Sequence, residues 1–285
     1  RDLAEMRRCV FDNKRTPRRF LQGRVFGVRP VGSGSAVVEV TRGTLRIMIQ
    51  AEDFFHFSQM KGIENDDDAT RQRRYLRKAK LMNGAIINFC PYMEAESEDG
   101  EVVFAGSRQD AMQIQRNRHF FGRNADVKNG SRAAASILST GPDYVIAEAL
   151  GVETSIGAAA LSAYEYIDNV AEKYHVGDGI PVVVEDLHVD AENGTVSLRL
   201  NRAILERRAN PAMNIHSLAR GGAYGATVTS VNDRFYRLIV DSGNIQARVA
   251  LTSSDELLTR GDRVTLLVYG YDEKRNYVWG ACHKV

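Results

Sequence analysis

The strongest constraint on how this chain folds is an order of sequence signals that occurs three times, most clearly between Tyr224 and Lys284. In that copy, apolar residues recur at every second position in three groups: Tyr224, Ala226 and Val228; Tyr236, Leu238 and Val240; and Val264, Leu266 and Val268. A period of two is typical of strands that bury one face. Turn-forming Asn, Asp, Ser and Gly residues separate the groups. Three alternating strands with such turns, within a stretch interpreted as five strands in all, predict a small closed barrel.

The other two copies follow the same order with additions. In the middle copy, strands are predicted from Arg132 to Leu138, from Tyr144 to Leu150, and on both sides of a turn at Asp190 to Gly194. Between them, the spacing of Leu161, Tyr164, Ile167 and Val170 predicts a helix. In the first copy, early strands turn at Arg42-Gly43, and residues 58–82 are predicted to form a loop and a helix before the last hairpin.

Periodicity is lost near residues 124 and 215, where we place domain boundaries. The predicted domains are a helical lead-in at residues 1–18 and barrels at residues 19–124, 125–215 and 216–285. The predicted fold class is therefore mainly β, with three tandem barrels, helical insertions and an N-terminal helix.

Composition restricts the class of protein. The chain has 285 residues, of which 44% are hydrophobic and 26% charged, and no apolar run is long enough to cross a membrane. The first twenty residues are charged and amphipathic rather than a signal peptide, so we expect a soluble cytoplasmic protein. Cys9, Cys90 and Cys282 are far apart and lack metal-ligand spacing, which predicts reduced thiols and no metal or cofactor.

Short motifs recur at matching places in the repeats. Gly23-Arg24-Val25 and Gly225-Ala226-Thr227-Val228 open the first and third copies, while Gly177-Asp178 and Gly261-Asp262 precede the fourth strand of the second and third. The stretch DAENGTVSLRL, at residues 190–200, closes the second copy, and GSRQDAM, at residues 106–112, ends the last strand of the first copy and leads into the segment after it. Together these motifs resemble the S-one RNA-binding domain family, whose bacterial multi-repeat members carry the OB fold in tandem. The resemblance implies three OB domains that bind single-stranded RNA, in translation or RNA handling.

Relatives that bind RNA carry aromatic residues on the second and third strands, and this chain keeps only some of them. The first copy has Gly-Ser-Gly-Ser at residues 32–35 instead, the second keeps Tyr144, and the third keeps Phe235 and Tyr236 with Arg275 in the closing hairpin. The resemblance therefore places ring positions in the second and third copies.

Binding of single strands requires aromatic platforms beside cations, because bases stack on rings and guanidinium groups contact phosphates. The third copy meets this requirement best, with Phe235, Tyr236, Arg237, Arg248 and Arg263. Tyr269, Tyr271, Tyr277 and Trp279 add further rings on neighbouring predicted strands. The alternative is that alternate rings fill the barrel interior.

The densest run of cations lies at residues 71–80. On a helix, Arg71, Arg74 and Lys78 share one face and could follow phosphates. Acidic residues precede this run, so the alternative is a solvated helix in which Asp67 pairs with Arg71.

Two function hypotheses remain open at this stage. The first is a non-catalytic protein that binds single-stranded RNA, or single-stranded DNA, and acts with the ribosome or another assembly. The second is a structural or assembly protein, for example of a phage or mobile-element particle, that uses its barrels to dock proteins; the net charge of only +2 favours this alternative. No enzyme is expected, because the six histidines are scattered and no nucleophile, phosphate-loop or paired-carboxylate pattern is present.

Overall fold

The computed structural model describes residues 2–14, 16–55, 60, 62–97, 99–123, 125–165, 167–209, 213–251 and 257–285. Its strands form three five-stranded sheets, of which the first and third are closed barrels. The prediction of a mainly β chain with an N-terminal helix and inserted short helices is confirmed. The predicted boundary at residue 124 falls outside the described residues.

The first barrel contains strands β1 to β5, which are Leu21–Val31, Ser35–Arg42, Leu45–Gln50, Ile86–Glu96 and Val102–Ser107. Helices α1 to α4 are Asp2–Asn13, Ala51–Phe54, Asp68–Leu81 and Arg108–Arg116, and a π-helical turn follows at Asn117–Phe121. The strands are ordered β1-β2-β3-β5-β4, with β3 parallel to β5 and with β1 pairing with β4 to close the barrel. This is the strand order of an OB fold. The helix predicted within residues 58–82 is α3; residues 56–59 and 61 lie outside the described part.

The middle sheet contains strands β6 to β10, which are Arg132–Thr140, Tyr144–Ala149, Val152–Gly157, Gly179–Asp190 and Thr195–Asn201. Its order is β10-β9-β6-β7-β8, so β8 and β10 are the two edges. The Thr154 hydroxyl on β8 donates a hydrogen bond of 2.8 Å to the Leu198 carbonyl on β10. The two edges of the middle sheet are thus linked by a side chain. In the first barrel, the corresponding strands β3 and β5 form a parallel pair.

The single helix predicted through Leu161, Tyr164, Ile167 and Val170 is wrong. Strand β8 extends to Gly157, and the only helices that the described residues form here are α5, Ala158–Leu161, and α6, Val170–Lys173. Leu161, Ile167 and Val170 are nevertheless buried. Between the two short helices, Ser162 Oγ and the Ala163 backbone N–H donate to the Glu206 carboxylate. Leu161, Ile167 and Val170 are therefore buried individually, although the chain does not form a continuous helix through them.

The third barrel contains strands β11 to β15, which are Ala223–Val231, Phe235–Val240, Ile245–Ala250, Arg263–Asp272 and Tyr277–Lys284. Helix α7, Ala203–Ala209, precedes it. Its order is β11-β12-β13-β15-β14, with β13 parallel to β15 and with β11 pairing with β14. Of the residues predicted to share the inner face, all except Tyr224 are at most 1% exposed. Tyr224 is partly buried and packs against this core. The period-two prediction is confirmed.

The chain groups into two compact units. The N-terminal unit, Arg1–Ile156 with Ala171–Leu200, contains the first barrel and most of the middle sheet. The C-terminal unit, Gly157–Val170 with Asn201–Val285, contains the third barrel and α7. None of the helices within the described ranges is long and apolar enough to cross a membrane.

A fully buried arginine connects the elements of the N-terminal unit. Arg108, the first residue of α4, donates to the Glu148 carboxylate at 2.5 Å, to Glu153 at 3.1 Å and to the Phe54 carbonyl at 3.1 Å. Burial alone would lower the pKa of Arg108, but attraction to Glu148 and Glu153 outweighs it and raises the pKa. One charged side chain therefore joins the first barrel to β7 and β8.

No disulfide joins the three cysteines, all of which lie in the described ranges. Cys9 and Cys90 are buried and Cys282 is partly exposed. Burial raises the pKa of Cys90 to about 12, so its thiol stays protonated at neutral pH.

Candidate nucleic-acid interface

Four side chains meet on the outer face of the third barrel. Phe235 and Arg237 alternate with buried residues on β12, Arg248 lies on β13, and Tyr277 begins β15. Arg237 and Arg248 are directly opposite each other in the antiparallel β12–β13 pair. The period of two and this register bring residues from three strands together. We call Phe235, Arg237, Arg248 and Tyr277 the ring–arginine surface.

The arginines of this surface lie against its rings. The guanidinium carbon of Arg248 is 5.0 Å from the centroid of Phe235 and 4.4 Å from that of Tyr277. The guanidinium carbon of Arg237 is 5.4 Å from the Phe235 centroid. A cation over a ring face is stabilised by roughly 0.5–1 kcal/mol at an exposed site. The guanidinium groups are therefore held close to the rings. A nucleotide whose base stacked on one of these rings would have its phosphate near a guanidinium group.

A second pair of rings continues the aromatic surface across β15 and β14. Trp279 lies opposite Arg248 in the parallel β13–β15 pair. Trp279 and Tyr269 are 47% and 50% exposed, and their ring centroids are 6.1 Å apart at an interplanar angle of 79°. A Cβ on Gly270 would lie 2.9 Å from the indole, so the absence of a side chain there lets the indole lie close to the backbone of β14. The sequence analysis did not predict this role of Gly270. The signal that could have shown it is the strand register, which places Gly270 opposite Trp279.

Tyr236 does not belong to this interface, which corrects its prediction as a stacking residue. Its side chain is 1% exposed, and its hydroxyl accepts a hydrogen bond of 3.4 Å from the Leu258 backbone N–H. Consecutive residues of a strand point to opposite faces, so the chain cannot present both Phe235 and Tyr236 outward. Tyr236 instead fills the barrel core, as the alternative interpretation of the rings expected.

Arg263 and Arg275 lie in the same unit but have other contacts. Arg263 lies opposite Thr227 on β11 and forms an ion pair of 3.2 Å with Asp241. Arg275 is exposed in the β14–β15 hairpin, where its backbone N–H donates to Asp272. It also borders a cavity of about 370 Å³ that Tyr164 and Gln246 help to line.

The remaining predicted binding residues belong to the N-terminal unit. Tyr144 is 39% exposed at the start of β7, and its ring packs against Gly141. On α3, Arg71 pairs with Asp68 at 3.2 Å, and Arg74 pairs with Asp66 at 2.6 Å. These ion pairs favour the interpretation of α3 as a charge-balanced helix face.

Two further details of α3 follow from its contacts. Asp67 does not pair with Arg71 as expected, because it is the N-cap and accepts a hydrogen bond of 2.7 Å from the Thr70 backbone N–H. Lys78 is 3.5 Å from Glu153 and lies over the Phe55 ring at 5.2 Å. Burial lowers the pKa of Lys78, with attraction to Glu153 acting in the opposite direction. Lys78 therefore helps to pack α3 onto the unit.

The ring–arginine surface brings two rings and two guanidinium groups together. Among the described residues, no group of three or more His, Cys, Asp or Glu side chains is arranged to hold a metal ion. Partly exposed rings with adjacent guanidinium groups suit a ligand that combines flat apolar faces with anionic groups.

No protein-family model matches this chain. No curated protein matches it either. Among solved structures, a multidomain protein with nucleic acid binding domains from Streptococcus pneumoniae TIGR4 is 12% identical, with 92% of this chain and 72% of that chain covered and a TM-score of 0.22. Drosophila Unr CSD456 is 8% identical, with 94% and 97% covered and a TM-score of 0.19. The Ifi202 HINa domain in complex with a 20-bp dsDNA is 10% identical, with the same coverages and TM-score. At these TM-scores the likeness does not establish a common fold.

Proposed function

We propose that this protein binds single-stranded nucleic acid, without catalysis, through the ring–arginine surface of the third barrel. The observation that carries this proposal is the placement of two guanidinium groups around Phe235, with Tyr277 and Trp279 on β15, the strand that pairs with β13. Bases stack on such rings with little sequence preference, and each stacked base contributes about 1–3 kcal/mol. The arginines supply the phosphate contacts.

Single-stranded RNA is the ligand that we favour, in translation or RNA handling. The support for RNA over DNA is the resemblance of the repeats to S-one RNA-binding domains, since residue types alone do not reveal a preference for the 2′-hydroxyl. A direct comparison of matched RNA and DNA strands tests this part. Equal affinity for both strands would contradict RNA preference and leave single-strand binding intact.

The test of the surface is substitution of its central ring. Phe235→Ala removes a stacking platform, so affinity for a fluorescent single strand should fall about 5- to 150-fold, which corresponds to the loss of one stacked base. Phe26→Ala is the matched control, because Phe26 is a 67% exposed ring on β1 of the other unit. Fluorescence anisotropy at fixed salt measures both variants. Equal affinity of the Phe235→Ala and Phe26→Ala proteins would overturn the assignment.

The assembly-protein hypothesis has one observation of its own. Trp279 and Tyr269 expose large apolar rings side by side, and aromatic residues of this kind are enriched in protein–protein interfaces. Under this hypothesis the protein purifies as a stoichiometric member of a protein assembly that resists nuclease. Release from the assembly by nuclease would instead support nucleic-acid binding.

A further inference from the structure

A cavity of about 610 Å³ lies in the N-terminal unit, far in sequence from the ring–arginine surface. Arg8 of α1, Arg18 and Arg19 of the segment before β1, and Arg118 of the π-helical turn line it, together with Phe20 and Glu5. Arg8 and Arg118 are far apart in sequence, so only folding brings the arginines together. The cavity has the size of a small-molecule site, which is typically about 300–1,000 Å³.

The segment that carries three of these residues is fixed in place. Asn13 is 6% exposed, and its side-chain oxygen accepts hydrogen bonds of 3.0 Å from the backbone N–H groups of Arg18 and Arg19. Its side-chain nitrogen donates to the Arg19 carbonyl at 2.8 Å and to the Pro91 carbonyl at 3.1 Å. The guanidinium groups thus extend from a backbone that is anchored on α1 and β4, and little ordering is needed when a ligand binds.

The charges of the cavity are unbalanced. Four guanidinium groups line it with one carboxylate, and that carboxylate, Glu5, accepts a hydrogen bond of 2.7 Å from Arg42. Arg19 is partly neutralised by Asp12, at 3.1 Å. Within the part of the chain that the structure describes, the exposed side chains of Arg8 and Arg18 make no hydrogen bond or ion pair. Converging cations of this kind create a local field that favours an anion.

A ring beside the cations makes the cavity suited to a nucleotide. Phe20 is half-buried in the lining, and the guanidinium carbon of Arg118 is 5.8 Å from its centroid. Guanidinium groups match the geometry of phosphate oxygens, and a phenyl ring offers a face to a base. We infer that this cavity binds a phosphate of a nucleotide through Arg8, Arg18 and Arg118, with the base against Phe20.

The ligand can be a nucleotide within a single strand or a free mononucleotide, since both offer a phosphate beside a base. In the first case the cavity is a second contact for the proposed nucleic-acid ligand. In the second case it works independently of the third barrel. A test that separates the two sites therefore starts from a protein whose ring–arginine surface has been disabled.

The test compares two pairs of substitutions in a Phe235→Ala, Arg248→Ala background. Arg8→Ala with Arg18→Ala removes two exposed arginines whose side chains have no bonding partner among the described residues, so the fold should be retained. Arg77→Ala with Arg132→Ala is the matched control, because both residues are exposed in the same unit. Anisotropy with a short fluorescent single strand should show affinity about tenfold lower in the first pair than in the control. The slope of log K against log salt should decrease in magnitude by roughly 0.7 for each phosphate that the variant no longer neutralises.

Equal affinities and equal salt slopes in the two pairs would overturn the inference, whether or not the third barrel binds. If the Arg8→Ala, Arg18→Ala protein fails to unfold cooperatively, Arg8→Gln with Arg18→Gln replaces it and the same decrease in affinity is expected. Failure of the proposed function has a different signature. In that case the background substitutions leave the affinity of the wild-type protein unchanged, and the effect of the Arg8 and Arg18 pair persists.

Competition distinguishes the two sources and tests the ring. If free AMP displaces the labelled strand, the cavity is a mononucleotide site. If AMP does not displace it, the cavity is a contact for a nucleotide within the strand. Phe20→Leu should weaken binding of the strand while leaving competition by inorganic polyphosphate, which has no base, unchanged. If Phe20→Leu affects neither ligand, the cavity binds anions only and the nucleotide assignment is wrong.

Discussion

At the scale of single residues, one step along β12 separates a ring that can bind from a ring that packs the core. Phe235 faces outward between two arginines, while Tyr236 is 1% exposed inside the barrel. The sequence shows the period of two, and the inward positions of Leu238 and Val240 place Tyr236 on the buried face. The core position of Tyr236 could therefore have been derived from the pattern alone.

Removal of Arg108 should cost a large part of the stability, because its side chain is fully buried and paired with two carboxylates. Its partners Glu148 and Glu153 have side chains only 4% and 10% exposed, so replacing Arg108 leaves two buried carboxylates without their shared cation. We expect Arg108→Met to lower the free energy of unfolding by about 3–5 kcal/mol. Urea denaturation followed by circular dichroism measures this change.

Arg132→Met is the control for this substitution, because Arg132 is exposed. A surface change of this kind should alter stability by no more than about 0.5 kcal/mol. A destabilisation of the Arg108→Met protein as small as that of the control would show that the buried ion pairs are dispensable.

At the scale of elements, α3 shows how local chemistry sets the ends of a helix. Asp67 caps its N-terminus, and the hydrogen bond from the Thr70 backbone N–H is the largest cause that lowers the pKa of the Asp67 carboxyl. The cap signal of Asp followed by a helix-forming run was legible in the sequence. The ion pair between Arg74 and Asp66 was not, since it joins residues eight positions apart.

The cap predicts how the stability of α3 depends on pH. The folded carboxyl has the lower pKa, so its contribution is present above the pKa of the unfolded chain, about 3.9, and is lost as pH falls through the folded value. Asp67→Ser retains a capping oxygen that does not titrate. The protection factors of the α3 amides against hydrogen exchange, which are corrected for the intrinsic pH dependence of exchange, should therefore fall at acidic pH more steeply in the wild-type protein than in Asp67→Ser. Equal pH profiles would refute this role for the cap.

The middle sheet shows an element that sequence patterns describe only in part. Strands β6, β7, β9 and β10 follow from alternation and turn residues. Strand β8 ends at Gly157, just before the stretch whose apolar spacing predicts a helix. Its pairing with β7 and its link to Leu198 depend on residues outside that stretch. The helix prediction failed because buried positions can recur at helical spacing without i, i+4 backbone bonds.

At the scale of the whole molecule, the net charge of +2 is too small to attract a polyanion from a distance. Affinity for nucleic acid should therefore depend on local contacts. We expect Arg248→Gln to reduce the magnitude of the salt slope by roughly 0.7, because the variant neutralises one phosphate fewer. Phe235→Ala should weaken binding and leave the slope unchanged, because stacking releases no counterions.

Anisotropy titrations across a range of salt concentrations measure both slopes. Phe26→Ala is the control, because it removes an exposed ring of the other unit without removing a charge. If Phe235→Ala changed the salt slope as much as Arg248→Gln, the separation into a stacking residue and a phosphate-contacting residue would be wrong.

The repeated alternation of apolar residues and the turn residues between them were enough to establish three β units along this chain, because both signals act between neighbours in sequence. Only the tertiary structure determined which arginines are paired with carboxylates and which are available to bind a ligand. Arg74 is neutralised by Asp66, Arg108 is buried with Glu148, and Arg8 and Arg18 converge with Arg118 around a cavity. These outcomes depend on distances between residues that are far apart in sequence, and coulombic interactions follow distance in space.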